Sequence, residues 1–164
     1  MEPPSDHAEQ FTELTKQYAG PIRRLCRLYA PAHSDRDDLF QEIFLAVWRA
    51  LPSFRSESSV RTWLYRIAHN VALTWQLRDR RKRGREDQLD DAIKHPASEL
   101  DVRRLDLDRA VASLNPADRM LTLLWLEGLS AAEIEEVTGV RAGTVAVRLS
   151  RIRKRLGPPE DALD

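Results

Sequence analysis

The sequence predicts an all-α protein: two small helical domains joined by an acidic linker. Three observations predict it. Apolar residues recur three and four apart along most of the chain, and no stretch alternates as a half-buried strand does. Helix start and stop signals recur, among them Gly20-Pro21, Asn115-Pro116, Gly128, Ser130 with Glu133, Gly139 and Gly157-Pro158-Pro159. A segment with little apolar pattern, 84–98, parts the chain. The expected division is a helical bundle over 1–83, a linker over 84–112, a helix-turn-helix domain over 113–157 and a tail over 158–164.

Taken in order, Asp6 to Tyr18 reads as a helix ended by Gly20, and Pro21 suits the first turn of a second helix to Tyr29. Ala30-Pro31-Ala32-His33 is a connection. Ser34 with Asp35, Asp37 and Asp38 opens a third helix to Leu51, where carboxylates favour the positive helix end. Residues 52–59 form a serine-rich loop, and a long helix follows from Val60 to about Arg81. Leu100, Leu105, Leu107, Val111 and Leu114 fit a helix over 99–114. Asn115 then caps a helix with Pro116 at its first position, running to about Glu127. Ser130-Ala131-Ala132-Glu133 is a capping box for a short helix ending at Thr138-Gly139. The last helix spans Arg141 to Leu156.

The chain has 164 residues, 26 basic and 26 acidic, with 42% hydrophobic and 32% charged. No apolar run nears the ~18 residues of a membrane span, and the start, Met1 to Gln10, is too acidic for a secretory signal. A cytoplasmic protein without membrane insertion is expected. The single cysteine, Cys26, excludes an internal disulfide or Cys-rich zinc site and fits a small core residue. The histidines at 7, 33, 69 and 95 make no ligand spacing. With no phosphate loop and no nucleophile elbow, neither a catalytic residue nor a cofactor or metal is expected. The zero net charge hides a pattern. Residues 61–85 hold eight basic side chains against one acidic, and 141–156 hold six against none. Between them, 86–118 hold nine acidic against four basic. Two cationic blocks parted by acid suit contact with a polyanion at two places.

Three elements carry the functional signal. In the last helix, Val145, Leu149, Ile152 and Leu156 form an apolar stripe. Arg141, Thr144, Arg148, Arg151 and Arg155 form a second stripe about 100° away. A short helix, a glycine turn and a basic amphipathic helix make the helix-turn-helix pattern, whose second helix enters a major groove. In the helix around Phe40, a core stripe of Phe40, Phe44, Val47 and Leu51 adjoins Gln41, Leu45 and Trp48, with Asp38 and Glu42. That second face fits either a central bundle helix or a docking surface. In the long helix, Val60, Leu64, Ile67, Val71 and Trp75 are the expected core stripe. Arg61, Trp63, Tyr65, Arg66, His69 and Asn70 fall on other faces, and a run of arginines closes it. With the polar loop before it, this suits single-stranded nucleic acid: cations follow the backbone and rings or pockets hold bases.

The segments Asp37-Asp38-Leu39-Phe40-Gln41-Glu42-Ile43-Phe44-Leu45-Ala46-Val47-Trp48 and Ser59-Val60-Arg61-Thr62-Trp63-Leu64-Tyr65-Arg66-Ile67-Ala68-His69-Asn70 resemble region 2 of the extracytoplasmic-function (ECF) sigma factors of bacterial RNA polymerase. Leu114-Asn115-Pro116-Ala117-Asp118-Arg119, Gly128-Leu129-Ser130-Ala131-Ala132-Glu133-Ile134, Gly143-Thr144-Val145 and Arg148-Leu149-Ser150-Arg151-Ile152-Arg153 resemble region 4 of the same family. The likeness covers most of the chain in the family's order.

The resemblance implies a binding protein without catalytic activity that directs core polymerase to promoters. It implies that Asp38, Gln41, Glu42, Leu45 and Trp48 dock on the clamp of the largest polymerase subunit, and that region 4 meets the flap of the second. Arg55, Ser56, Glu57, Ser58 and Ser59, with Arg61, Trp63, Arg66, Asn70, Arg80 and Arg81, would recognise and open the −10 element around a flipped base. Extruding a base costs a few kcal/mol, so a preformed pocket is needed. Arg141, Thr144, Arg148, Arg151, Lys154 and Arg155 would read the −35 element. The acidic linker would pass through the RNA exit channel, and an anti-sigma factor is a further partner of many members. Three positions depart from the family. Glu135 replaces an alanine facing the recognition helix, and a buried carboxylate there must find a cation or a different packing. Ala146 and Val147 stand where lysine and serine are frequent, and Thr74 where aspartate is. Two alternatives stay open on the residues alone: a DNA-binding regulator that works without polymerase, and a carboxylate-dependent metal nuclease.

Overall fold

The computed structural model describes residues 6–30, 32–84 and 109–156. The chain divides into two compact units, Met1–Asp91 and Ala92–Asp164. Their described residues form helices and turns, with no strand. The acidic stretch of the expected linker, most of the helix expected over 99–114, and the tail 158–164 lie outside the described residues. Of that expected helix, residues 109–112 are helical.

The first unit holds α1 (Asp6–Tyr29), α2 (His33–Ala50), a 3₁₀ turn (Leu51–Ser53) and α3 (Val60–Arg83). One helix stands where the sequence suggested two, because α1 continues through Gly20-Pro21. Pro21 has no amide hydrogen to donate, and a proline inside a helix costs ~3 kcal/mol. The buried face keeps its register across it: Leu14, Tyr18, Ile22 and Leu25 follow at spacings of four, four and three. Burying one such side chain contributes ~1.5–3 kcal/mol, so the stripe outweighs the break signal.

The core stripe of α2 is Leu39, Ile43 and Val47, with Phe44 and Leu51 beside it. Phe40 is half-buried at the stripe's edge, against Phe44 and under the Arg23 guanidinium at 4.3 Å from the ring centre. Ala32 ends the connection without a side-chain cap, so the acid Asp35 in the first turn is what complements the helix end. The buried face of α3 also differs from the expected stripe. Thr62, Trp63, Leu64, Tyr65, Ala68, His69 and Ala72 are buried, whereas Val60, Ile67, Val71 and Trp75 are only half covered. The reason is that α3 packs against both α1 and α2. The small Ala68 and Ala72 admit close approach, and Tyr65 and His69 reach α1. Tyr18 meets Tyr65 edge-on, and the Tyr29 hydroxyl lies 2.9 Å from His69 Nδ1. Cys26 is a buried core residue, and burial pushes its thiol up to about 12.

The second unit holds α4 (Pro116–Leu126), α5 (Ala131–Thr138) and α6 (Ala142–Leu156). Its helix ends are as the sequence predicts. Asn115 Oδ1 accepts from Asp118 N at 2.9 Å, and Ser130 with Glu133 forms a reciprocal capping box. Gly128 and Gly139 take φ of 86° and 76°, a region glycine enters without steric cost. The core gathers Leu114, Met120, Leu121, Leu124, Leu129, Ile134, Val137, Val145, Leu149 and Ile152.

Candidate docking and nucleic-acid interfaces

On α2, the side chains expected to dock stay out of the core. Asp38, Gln41, Leu45 and Trp48 are exposed and Glu42 is half-buried. Leu45 and Trp48 keep 46% and 42% of their surface, a large apolar area for two adjacent turns. Phe11, Thr15, Phe40 and Phe44 extend them into an apolar groove between α1 and α2, with Phe11 edge-on to Trp48 at 5.1 Å. The opposite flank is a charged cleft, where Glu42 accepts from Arg78 of α3 at 2.6 Å. Phe11 is a member the sequence did not reveal, since its place depends on how α1 crosses α2.

The loop before α3 is anchored at both ends and open between. Phe54 packs tilted against Trp63, ring centres 4.7 Å apart, and Ser59 caps α3 by accepting from Thr62 N at 3.1 Å. Arg55, Ser56 and Glu57 are exposed, Ser58 is half-buried, and Ser56 has φ 58°. A non-glycine residue there costs about 1–2 kcal/mol, a strain found at ligand-facing loops. Trp63, expected among the nucleic-acid contacts, is 8% exposed and serves to hold the loop. Its burial follows from the broad covered face of α3. Arg61 is half-buried, while Arg66, Asn70, Arg80 and Arg81 are exposed. Three- and four-residue spacing puts Arg66, Asn70, Leu73, Leu77 and Arg80 on one face. Leu73 and Leu77, exposed at 40% and 57%, were missed in the sequence; their signal is an apolar pair four apart and off the core stripe.

Arg141, just before α6, and Thr144, Arg151, Lys154 and Arg155 on it are exposed, off the buried stripe of Val145, Leu149 and Ile152. Arg148 differs from them. Its guanidinium pairs with Asp118 of α4, Nε at 2.8 Å and Nη2 at 2.5 Å, with 29% and 19% of the two side chains exposed. Asp118 also accepts from Asn115 Nδ2 at 2.9 Å, so the cap of α4 and a cation of α6 meet on one carboxylate. Arg153 lies over the Trp125 ring. Of the two outcomes the sequence allowed for Glu135, a cation partner or a different packing, the structure shows the second. Glu135 is exposed, and its carboxylate accepts from the backbone amide of Ala142 at 2.8 Å, across the turn between α5 and α6.

Among the described residues no cluster of histidine, cysteine and carboxylates fits a metal ion, and no helix is long and apolar enough to cross a membrane.

Comparison with known proteins agrees with this division. Residues 14–83 match sigma-70 region 2 and residues 104–156 match sigma-70 region 4. The chain is 31% identical over 161 residues to the ECF RNA polymerase sigma-E factor of Haemophilus influenzae, covering 89% of this chain and 85% of that one. It is 32% identical to the Escherichia coli K12 sigma-E factor, covering 89% and 84%. Two solved structures share the fold at 24% identity. One is the Bartonella quintana sigma factor RpoE in complex with the anti-sigma factor NepR, with a TM-score of 0.70 and coverage of 90% of this chain and 94% of that one. The other is CnrH in complex with the cytosolic domain of CnrY, with a TM-score of 0.65 and coverage of 98% and 93%. Region 2 and region 4 in sequence, each on a helical unit of the matching kind, make this chain a member of the ECF sigma factors of RNA polymerase.

Proposed function

We propose that the chain binds core RNA polymerase through the α2 face and takes it to promoters. The exposed face of α3 and its loop open the −10 element, and α6 reads the −35 element. The observation that supports this best is the separation of chemistries on the first unit. The apolar-acidic face of Asp38, Gln41, Glu42, Leu45 and Trp48 suits a protein partner. The face of Arg66, Asn70, Leu73, Leu77, Arg80 and Arg81 suits an unstacked strand, with cations for phosphates and apolar or amide groups for bases. On α6, a cationic stripe beside a buried stripe is the geometry of a recognition helix. The role is binding in the cytoplasm rather than catalysis, with 1–83 serving as region 2, 113–157 as region 4 and 84–112 as the link between them; a boundary between two compact units at Asp91 supports this reading.

The deciding experiment mixes core polymerase with the purified chain and a genomic fragment library, then sequences the 5′ ends of the transcripts. Starts that depend on the chain and share two upstream motifs at fixed spacing are expected. A chain that binds duplex DNA yet neither joins polymerase nor directs starts would instead be a free-standing regulator. The groove of Phe11, Phe40, Phe44, Leu45 and Trp48 favours a second partner on the same surface: the amphipathic helix of an anti-sigma factor, laid apolar side down. Such a factor would compete with polymerase for Leu45 and Trp48.

A further inference from the structure

We propose that Arg78 is a further DNA-backbone contact of the first unit, held by Glu42 in the free chain and released for a phosphate when polymerase takes Glu42. Glu42 stands on α2, four residues after Asp38 and three before Leu45, within the docking face proposed above. Arg78 stands on α3, three residues before Arg81 and four before Lys82, along the edge of the face given to the unstacked strand. The two side chains meet across the charged cleft, where Arg78 Nη2 donates to Glu42 Oε2 at 2.6 Å. One ion pair thus ties the helix of one task to the helix of the other.

The pair is placed to exchange partners. Both side chains stay open to water, Arg78 with 53% and Glu42 with 42% of its surface. A pair so exposed contributes little to the fold, and either member can leave it at small cost. Asp38 and Glu42 present two carboxylates one turn apart on α2, so a protein that docks there is matched by cations. A cation that takes Glu42 leaves Arg78 without this partner. Arg78 then adds a guanidinium beside Arg81 and Lys82, both exposed, and a strand along that edge offers it a phosphate. The free chain instead keeps Arg78 on its own carboxylate and holds DNA less tightly. The competition runs both ways: the pair opposes polymerase at Glu42 as much as it opposes DNA at Arg78. This role rests on α2 being the polymerase face and α3 the strand face, as proposed above.

The test uses the full chain in two arms. The first titrates a labelled single-stranded oligonucleotide of random sequence at several salt concentrations. Glu42→Ala frees Arg78, so affinity at ~0.1 M salt should rise about two- to fourfold. The log–log salt slope should steepen by about 0.7, one more phosphate neutralised. In an Arg78→Ala background the same change should raise affinity much less, by the loss of a repelling carboxylate alone. The second arm measures affinity for core polymerase. Arg78→Ala frees Glu42 and should raise it about two- to fourfold. A merely structural pair predicts a loss in both arms, since α2 and α3 then sit less firmly together. An equal rise in strand affinity with and without Arg78, or no rise in polymerase affinity for Arg78→Ala, overturns the proposal. Arg80→Ala combined with Arg81→Ala in the first arm, and Trp48→Ala in the second, separate the two failures. If these weaken strand and polymerase binding while the Glu42 and Arg78 variants fail, only this role of Arg78 falls. If either control changes nothing, the face it belongs to is misassigned, and both readings fall together.

Discussion

At the scale of single residues, Arg148 is tied to the fold as well as lying on the proposed DNA-reading helix. Its Nε and Nη2 bind Asp118, which also holds the cap residue Asn115. Both side chains are mostly covered, so the pair lies between the exposed and the buried case. Asp118→Ala and Arg148→Ala should each lower the stability of the second unit by ~1–2 kcal/mol, with a coupling of ~1 kcal/mol in the double-mutant cycle. Urea denaturation measures all four corners; additive effects would show the pair to be idle. Arg148→Ala should also weaken duplex binding less than Arg151→Ala does, because Arg148 must first leave Asp118. His69 makes a second residue-scale case. It is buried beside the Tyr29 hydroxyl, and desolvation holds its imidazole below the ordinary value. The unfolded chain then binds more protons than the folded one below pH ~6.5, so stability is full above that pH and falls as acid is added. Melting temperatures from pH 7.5 down to 5 should decline, and His69→Gln, which can still meet Tyr29, should flatten that decline. An equal decline in the variant would place its origin among the carboxylates.

At the scale of elements, local signals and packing compete, and α1 shows the outcome. Gly20-Pro21 reads as a boundary, yet the apolar spacing of Leu14, Tyr18, Ile22 and Leu25 carries the helix through it. Pro21→Ala restores one amide donor and should stabilise the first unit by about 1–2 kcal/mol, less than the full helix penalty because the proline also restricts the unfolded chain. A loss of stability on denaturation would mean that the ring packs in a way alanine cannot replace. The same competition explains which elements were legible. The caps of α4 and α5, the turn glycines and the buried stripe of α6 follow from neighbours in sequence and stand where the sequence put them, except that Leu156 at the end of the stripe is only half-buried. The buried face of α3 depends on two other helices. Periodicity chose Ile67, Val71 and Trp75, whereas the bundle covers Tyr65, Ala68, His69 and Ala72. For the same reason Trp63 turned from an expected base contact into the prop behind the loop, and Phe11 joined the α2 groove unforeseen. Of the candidate site, the exposed cations and the Asp38–Trp48 face were legible because amphipathic spacing decides them. The partners of Arg148 and Glu135 were not, because they sit on other helices.

At the scale of the whole molecule, a chain of zero net charge works on a polyanion because its charge is sorted into blocks. In the proposed assignment, polymerase docking and strand opening fall on different faces of one unit, and this makes them separable. The loop can be altered without loosening the fold, since its anchors are Phe54 on Trp63 and Ser59 on Thr62. Replacing only Arg55–Ser58 by glycine and serine keeps both anchors. It removes the Arg55 cation, the Glu57 carboxylate and the strained backbone at Ser56. A flexible loop must be ordered anew around an extruded base, at ~1–2 kcal/mol of backbone entropy per residue. Permanganate reactivity of promoter thymines should therefore drop sharply on duplex templates and recover in part on a pre-melted bubble, where unstacking costs nothing further. Affinity for core polymerase should stay within about twofold of the unaltered chain, under 0.5 kcal/mol. Asp38→Ala with Trp48→Ala should do the reverse, losing polymerase at either template while the helical content by circular dichroism is kept. If the loop variant opens duplex promoters as the native chain does, 55–58 is only a connector. Base capture would then belong to the α3 face, where Asn70, Leu73 and Leu77 become the residues to replace.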